Sequence, residues 1–305
     1  MILTHPACLD HDPGPGHPES RERLQAVLDA LADPRLAAVP HREAPRASRA
    51  QLLATHASSL IDSVFAQSPL DGRVRLDADT AMSPASLEAA LRAAGAVCAG
   101  VDAVRSGAAR RVFCAVRPPG HHATRDTAMG FCLFNSIAVG ARHALDAFGL
   151  QRVAIVDFDV HHGNGTQDIF WDDARVFYVS SHQAPLYPGT GRDDERGSAE
   201  NILNAGLPPG AGSAEFRALY SNLLLPALER FAPQLVMISA GFDAHRLDPL
   251  ANLDLGAADF GWITERLVAL AERHAAGHVV SSLEGGYSQT ALRESTLAHG
   301  LALFN

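Results

Sequence analysis

Residues 152–167 read RVAIVDFDVHHGNGTQ. The first part, Val153 to Val156, is an unbroken apolar run of the kind that forms a strand buried on both faces. The second part reverses that character: Asp157, Asp159, His161 and His162 crowd together and give way to Gly163-Asn164-Gly165. An apolar strand ending in a polar, glycine-rich turn is the pattern of an open parallel α/β sheet, in which ligands gather at the carboxyl ends of the strands.

Outward from this stretch the pattern repeats. A strand at 111–117 (RVFCAVR) runs into Pro118-Pro119-Gly120-His121-His122. A strand at 234–240 (QLVMISA) runs into Gly241-Phe242-Asp243-Ala244-His245, and one at 278–283 into Glu284-Gly285-Gly286-Tyr287. A further strand is expected at 175–181. Between them the spacing predicts helices at 136–148, 213–231 and 257–275, and Ser83-Pro84 reads as a cap and first turn opening an Ala-rich helix to about Gly107. Leu24, Val27, Leu28 and Leu31 mark one amphipathic helix after Pro18. Segments 39–82 and 182–212 lack strong periodicity and read as long connections, which in such proteins tend to carry the site. The fold class is therefore α/β: one domain over 1–305, with a mostly parallel sheet flanked by helices on both faces.

Composition narrows the function. At 305 residues, 47% hydrophobic and 19% charged, the chain can bury a large core. No apolar run approaches a membrane span, and Met1 to Glu19 holds an Asp-His-Asp cluster and no basic segment, so a cytoplasmic protein is expected. A net charge of −9 is the wrong sign for broad contact with nucleic acid phosphates. Every basic residue is Arg and none is Lys, for which a GC-rich genome is the plainest explanation. Cys8, Cys98, Cys114 and Cys132 show no C-x-x-C pair and read as free thiols.

The chemistry lies in the strand ends. Asp159 and His161 are two apart, so on an extended segment both point to one face, and Asp243 would complete a one-His, two-carboxylate metal set with room for water and substrate. The plainer explanation is that such Asp and Asn residues only cap helices. Four strand ends delivering His, Asp, Asp and Tyr toward one rim favour the metal site.

On these motifs the sequence resembles the histone deacetylase family, nearest in wording to the class II type and its bacterial amidohydrolase relatives. The likeness runs through HPESRERL (17–24), RPPGHH (117–122), GFCLFN (130–135), DFDVHHGNGTQ (157–167), YPGTG (187–191), SAGFDAHRLDPL (239–250) and EGGY (284–287). It implies an arginase-deacetylase type of fold and metal-dependent hydrolysis of an acyl amide, the substrate being an acyl-lysine in a peptide or protein or a small acylated amine. The family's single zinc maps onto Asp159, His161 and Asp243. Its tandem histidines map onto His121, paired with Asp157, and His122, paired with Asn164. Its transition-state tyrosine maps onto Tyr287. Gly130, Phe131, Tyr187 and Leu250 fall in the lining of the acyl tunnel, with Tyr187 where Phe is usual, and Arg23 matches an arginine below the metal. A potassium ion is implied beside Asp157, Asp159 and His161, with Ser180 and Ser181. For His162, His182, His245 and Asp248 a hydrogen-bonding role is the expectation.

Because an amide partner does not favour imidazolium as a carboxylate does, His122 is the better general base and His121 the electrostatic support. An arginase-like site with two manganese ions would need an aspartate two residues beyond His161, where Gly163 stands, and a second one where His245 stands. A non-catalytic binder of acyl-lysine and a hydrolase of esters or small amides would use the same pocket residues. The polyamine-deacetylating branch of the family carries Glu after the Asp-Pro of the later motif, and here Asp248-Pro249 is followed by Leu250. Acyl-lysine is therefore the expected substrate over acetylated polyamines, unless Asp77 and Asp79 supply the negative charge instead.

Overall fold

A computed structural model describes all residues, 1–305. Its strands are β1 (Ile2–Thr4), β2 (His41–Glu43), β3 (Val74–Arg75), β4 (Ala81–Met82), β5 (Arg111–Cys114), β6 (Val153–Asp157), β7 (Val176–Gln183), β8 (Ile202–Leu207), β9 (Leu235–Ala240) and β10 (Val279–Leu283). β3 and β4 form a small antiparallel hairpin. The other strands build one eight-stranded sheet in the order β2-β1-β5-β10-β9-β6-β7-β8. Every pairing in it is parallel. Both faces are covered by helices, as parallel sheets require.

Chain order and sheet order differ at the centre, because β9 and β10 return to fill the gap that the chain leaves between β5 and β6. Ligand crevices form at such reversals. The register aligns the ends: Asp157 lies opposite Ser239, Leu283 opposite Ala240, and Ser282 opposite Cys114. The four polar turns expected from the sequence thus follow four neighbouring strands and leave the sheet at one edge.

Several elements differ from expectation. The helix over 86–105 starts at Ser86, after the proline, because Ser83 is used elsewhere: its hydroxyl accepts from the Asp12 amide at 3.1 Å, while its own amide donates to Ser86 Oγ at 2.7 Å. The helix expected at 213–231 is interrupted by a π-turn at Tyr220–Leu224. Pro226 follows two residues on, and its missing N–H and crowding ring disturb the ladder four residues back, within the turn. Segment 39–82 carries helices at Arg49–Leu53 and Ser58–Ala66, and 182–212 contains β8.

Most of the core, 69 buried apolar residues, packs on the sheet. A separate cluster of 14, including Leu52, Ile61, Val64, Met82, Leu133 and Phe134, lies beneath the hairpin and the 130–135 segment. Behind the sheet's functional edge, fully buried Glu19 joins the first loop to β5's extension. It binds Arg117 through both oxygens, Arg23 Nη1 at 2.9 Å and His11 Nε2 at 3.2 Å. Burial opposes its charge, yet Arg117 and His11 hold its carboxyl well below the usual range.

Candidate active site

Asp159 leaves the end of β6 and turns back across the sheet. Its Oδ1 accepts from the His161 amide at 2.9 Å and its Oδ2 from the Gly285 amide at 2.7 Å. Asp243, beyond β9, accepts from the Val160 amide through Oδ1 at 2.8 Å. These bonds aim one free edge of each carboxylate at His161, whose Nδ1 lies 3.1 Å from both Asp159 Oδ1 and Asp243 Oδ2. The ligand atoms of all three residues lie within 4.8 Å of one another. Glycine makes room: a Cβ at Gly241 would sit 2.0 Å from Asp159 Oδ2, and one at Gly285 2.0 Å from Asp243 Oδ2.

Electrostatics shows what this cluster requires. Burial, then the charge of Asp159, pushes the Asp243 carboxyl up to about 7. Burial works against a charged His161, but the two carboxylates outweigh it and push the imidazole up to about 10. Two buried carboxylates at this separation need positive charge between them, from a proton on His161 or from a cation. Two carboxylate oxygens and an imidazole nitrogen could hold one divalent ion with an open position. A carboxylate at position 163 has no space, since a Cβ on Gly163 would lie 2.3 Å from Asp157 Oδ2 and 2.6 Å from the Tyr178 hydroxyl.

The tandem histidines differ by environment. His121 Nδ1 meets Asp157 Oδ2 at 3.0 Å, and the Tyr178 hydroxyl donates to the same oxygen at 3.0 Å. Burial disfavours charge on His121, but Asp157 and Asp159 prevail and push it up to about 10. His122 Nδ1 meets Asn164 Oδ1 at 2.8 Å, a neutral partner. Burial, with His121 and His161 nearby, holds His122 well below its ordinary value. One imidazole is thus kept charged and its neighbour kept neutral. Glu284 fixes their backbone by accepting from the Gly120 and His121 amides at 2.6 and 3.1 Å.

Tyr287 follows Gly286, whose φ of +118° suits glycine alone. Its ring is stacked under the Arg23 guanidinium at 4.7 Å. Burial holds its phenol well above the usual value; Arg23 opposes this, and Asp243 and Asp159 add to it. The hydroxyl therefore stays protonated and able to donate.

A pocket of about 210 Å³ opens onto these groups, lined by Asp79, His122, Gly130, Phe131, His161, Leu186, Tyr187, Leu250 and Tyr287. All four tunnel residues expected from the sequence are in it, while His121, Asp157 and Asn164 stand behind its wall. Phe131 has φ +67°, a strained conformation for an aromatic residue. Its amide donates to Thr80 Oγ1 at 3.0 Å, and that hydroxyl donates to Asp79 Oδ1 at 3.0 Å. His17 packs edge-on against the Phe131 ring at 4.7 Å. Nothing in the sequence pattern singles out Thr80 or Leu186 as parts of the site; His17 and Glu284 stand in quoted motifs without a role of their own, and Asp79 stands out there only as a source of charge.

Ser180 and Ser181 lie beside Asp157 on β7. Their hydroxyls are engaged with His182 Nδ1 and the Tyr220 hydroxyl, each at 2.9 Å. The buried carbonyls of Asp159 and His161 accept no backbone hydrogen bond. His162 uses both ring nitrogens, on Thr190 Oγ1 at 2.8 Å and Gln167 Oε1 at 3.0 Å.

Comparison with known proteins adds independent findings. A histone deacetylase domain profile matches residues 17–303. The histone deacetylase-like amidohydrolase of Pseudomonas aeruginosa is 41% identical over 277 residues, covering 89% of this chain and 72% of its own length. A probable deacetylase of Archaeoglobus fulgidus is 37% identical over 293 residues, covering 94% of this chain and 81% of that one. Among solved structures, the HDA15 HD domain superposes with a TM-score of 0.92 at 35% identity, covering 99% of this chain and 87% of that one. The matched span holds every residue of the pocket and of the cluster beneath it, so likeness of sequence and likeness of fold meet at the same place, and the chain belongs to the histone deacetylase family.

Proposed function

We propose that this deacetylase-family hydrolase removes acyl groups from the ε-amino group of lysine in peptides or proteins, with one zinc ion held by Asp159, His161 and Asp243. The observation that carries the reading is His122, bonded through Nδ1 to the neutral Asn164, and Tyr287 lining one narrow pocket above that cluster. Zinc there would supply Lewis acidity, lowering the pKa of water toward about 7 and polarising the acyl carbonyl. His122 Nδ1 is committed to Asn164, so Nε2 is the nitrogen that takes the proton of the attacking water and passes one to the departing amine. His121, kept charged by Asp157, supplies fixed positive potential beside it. Tyr287 donates its hydroxyl to the carbonyl oxygen as negative charge develops. Water is consumed, the C–N bond breaks, and a carboxylate and a free amine leave.

A potassium ion beside Asp157 belongs to the same reading, supported by the carbonyls of Asp159 and His161, which accept no backbone hydrogen bond, and by Ser180, which pairs with Asp157 across the sheet. The protein acts as one domain in the cytoplasm, without nucleic acid. A second reading has its own support: Asp79 lines the pocket, so negative charge is present at the mouth although Leu250 replaces Glu. That favours small cationic acylated amines, such as acetylated polyamines. Comparing kcat/KM for acetyl-lysine peptides and acetylated polyamines on protein of measured zinc content tests both. Preference for the peptide is expected, and a tenfold preference for the polyamine overturns it.

A further inference from the structure

Asp248 is buried on the turn beyond Asp243, and its two carboxylate oxygens serve different segments. Oδ1 accepts from the Leu250 amide at 3.0 Å and Oδ2 from the Tyr287 amide at 2.7 Å. The first segment is the pocket rim, the second the end of β10, 39 residues away. Tyr287 has reason to need such a tie. The glycine pair before it is tied down, Gly285 by Asp159 and the Phe242 amide and Gly286 by Arg23 at its carbonyl, but those ties stop one residue short of Tyr287, and no group of the chain binds its phenol hydroxyl. The bond to Asp248 is the one hydrogen bond that Tyr287 makes within the chain.

We propose that Asp248 is a positioning residue that clamps Tyr287 over the pocket and ties it to the Leu250 rim, so that the hydroxyl and a substrate seated at the rim share one frame. Asparagine has the same shape but one acceptor oxygen; its NH₂ must face one of the two amides, donor against donor. Asp248→Asn therefore breaks one arm of the clamp at constant volume. A misplacement of about 1 Å at a reacting group can cost about 100-fold in rate.

The inference rests on Tyr287 acting as the carbonyl-oxygen donor, and a double-mutant cycle separates the two claims. kcat and KM toward an acetyl-lysine peptide are measured for the parent, Asp248→Asn, Tyr287→Phe and the double variant, with metal content and melting temperature on each. Asp248→Asn is expected to lower kcat by about 10- to 100-fold with KM within about threefold and metal content unchanged. In the Tyr287→Phe background it should change kcat less than about twofold, since the group it positions is gone. An unchanged kcat in Tyr287→Phe defeats the reading of the tyrosine itself. A slow Tyr287→Phe with full kcat in Asp248→Asn, factors that multiply in the double variant, or metal lost from Asp248→Asn overturns the clamp. Should the asparagine variant not fold, Asp248→Ser, with its single hydroxyl acceptor, carries the same expectations.

Discussion

The floor of the pocket and its mouth are built by different means. Asp159, His161, Asp243 and His122 follow the central strands of the sheet, are buried, and have their polar atoms fixed by backbone amides, by one another or, for His122, by the Asn164 side chain. The mouth comes from the hairpin turn, the 130–131 turn and two surface loops. Its Tyr187 and Leu250 are 39% and 36% exposed, and Phe131 depends on one hydroxyl to hold its strained backbone. The floor rests on the large core and the mouth partly on the small one. The difference teaches that reaction chemistry is placed where the scaffold cannot yield, and selectivity where single contacts can be exchanged.

Substitutions should reproduce that division. The largest effect is expected for Asp243→Ala, which should lose the metal and about three orders of magnitude of activity or more, the scale of several kcal/mol of electrophilic stabilisation. Elemental analysis should find one divalent ion per parent chain; two tightly bound manganese ions, or an active variant, contradict the single site. Tyr287→Phe should keep its metal and lose about two to three orders of magnitude in kcat, with a smaller change in KM.

At the mouth the effects shrink and change kind. Leu250→Glu should move the kcat/KM ratio about tenfold toward acetylated polyamines while leaving zinc content alone, because an ammonium group at the rim gains a partner. A ratio that does not move assigns charge recognition to Asp79 instead. Thr80→Val should raise KM by about threefold with kcat nearly intact, through loss of one hydrogen bond to Phe131, and Thr80→Ser should restore it.

The smallest expected effect is on stability. His56, bonded to Thr124 O and the Asn135 amide, is lowered to about 4 by burial, and His299, between Thr264 and Ser281, to about 3. Unfolding lets both bind protons at their ordinary value of about 6.5. Their contribution is therefore complete above that pH and is lost as pH falls toward the folded values. Compared with the parent, His56→Gln should lose less melting temperature between pH 7 and pH 5, by about 3 °C. Parallel profiles for the parent and His56→Gln would show that this imidazole is not held neutral.

The same division decides what is legible in the sequence. The floor is legible because buried parallel strands are apolar runs whose polar ends stand out, and because Asp159 and His161 keep a spacing of two. The mouth is not, since β3 and β4 are two residues each and nothing in Gly130-Phe131 announces a left-handed phenylalanine. Short β1 and β2 lack the length for a pattern, and Asn204 and Gly206 break the apolar run of β8. The C-terminal helix, Gln289–Phe304, is hidden because Ser295, Thr296 and His299 are buried beside Leu292 and Leu303. Asp248 is legible as a hydrogen-bonding residue, but not as a link between rim and tyrosine.

The Glu19 cluster has a consequence for cutting the chain. β1 lies inside the sheet, between β2 and β5, and Glu19 supplies the counter-charge of Arg117 and Arg23, both enclosed in protein. A protease cut that releases the first twenty residues removes an interior strand and leaves two guanidinium groups without their anion, one of them, Arg23, against the Tyr287 ring. The leading segment is therefore a keystone and not a tail, and any shortened or circularly permuted version must keep it docked.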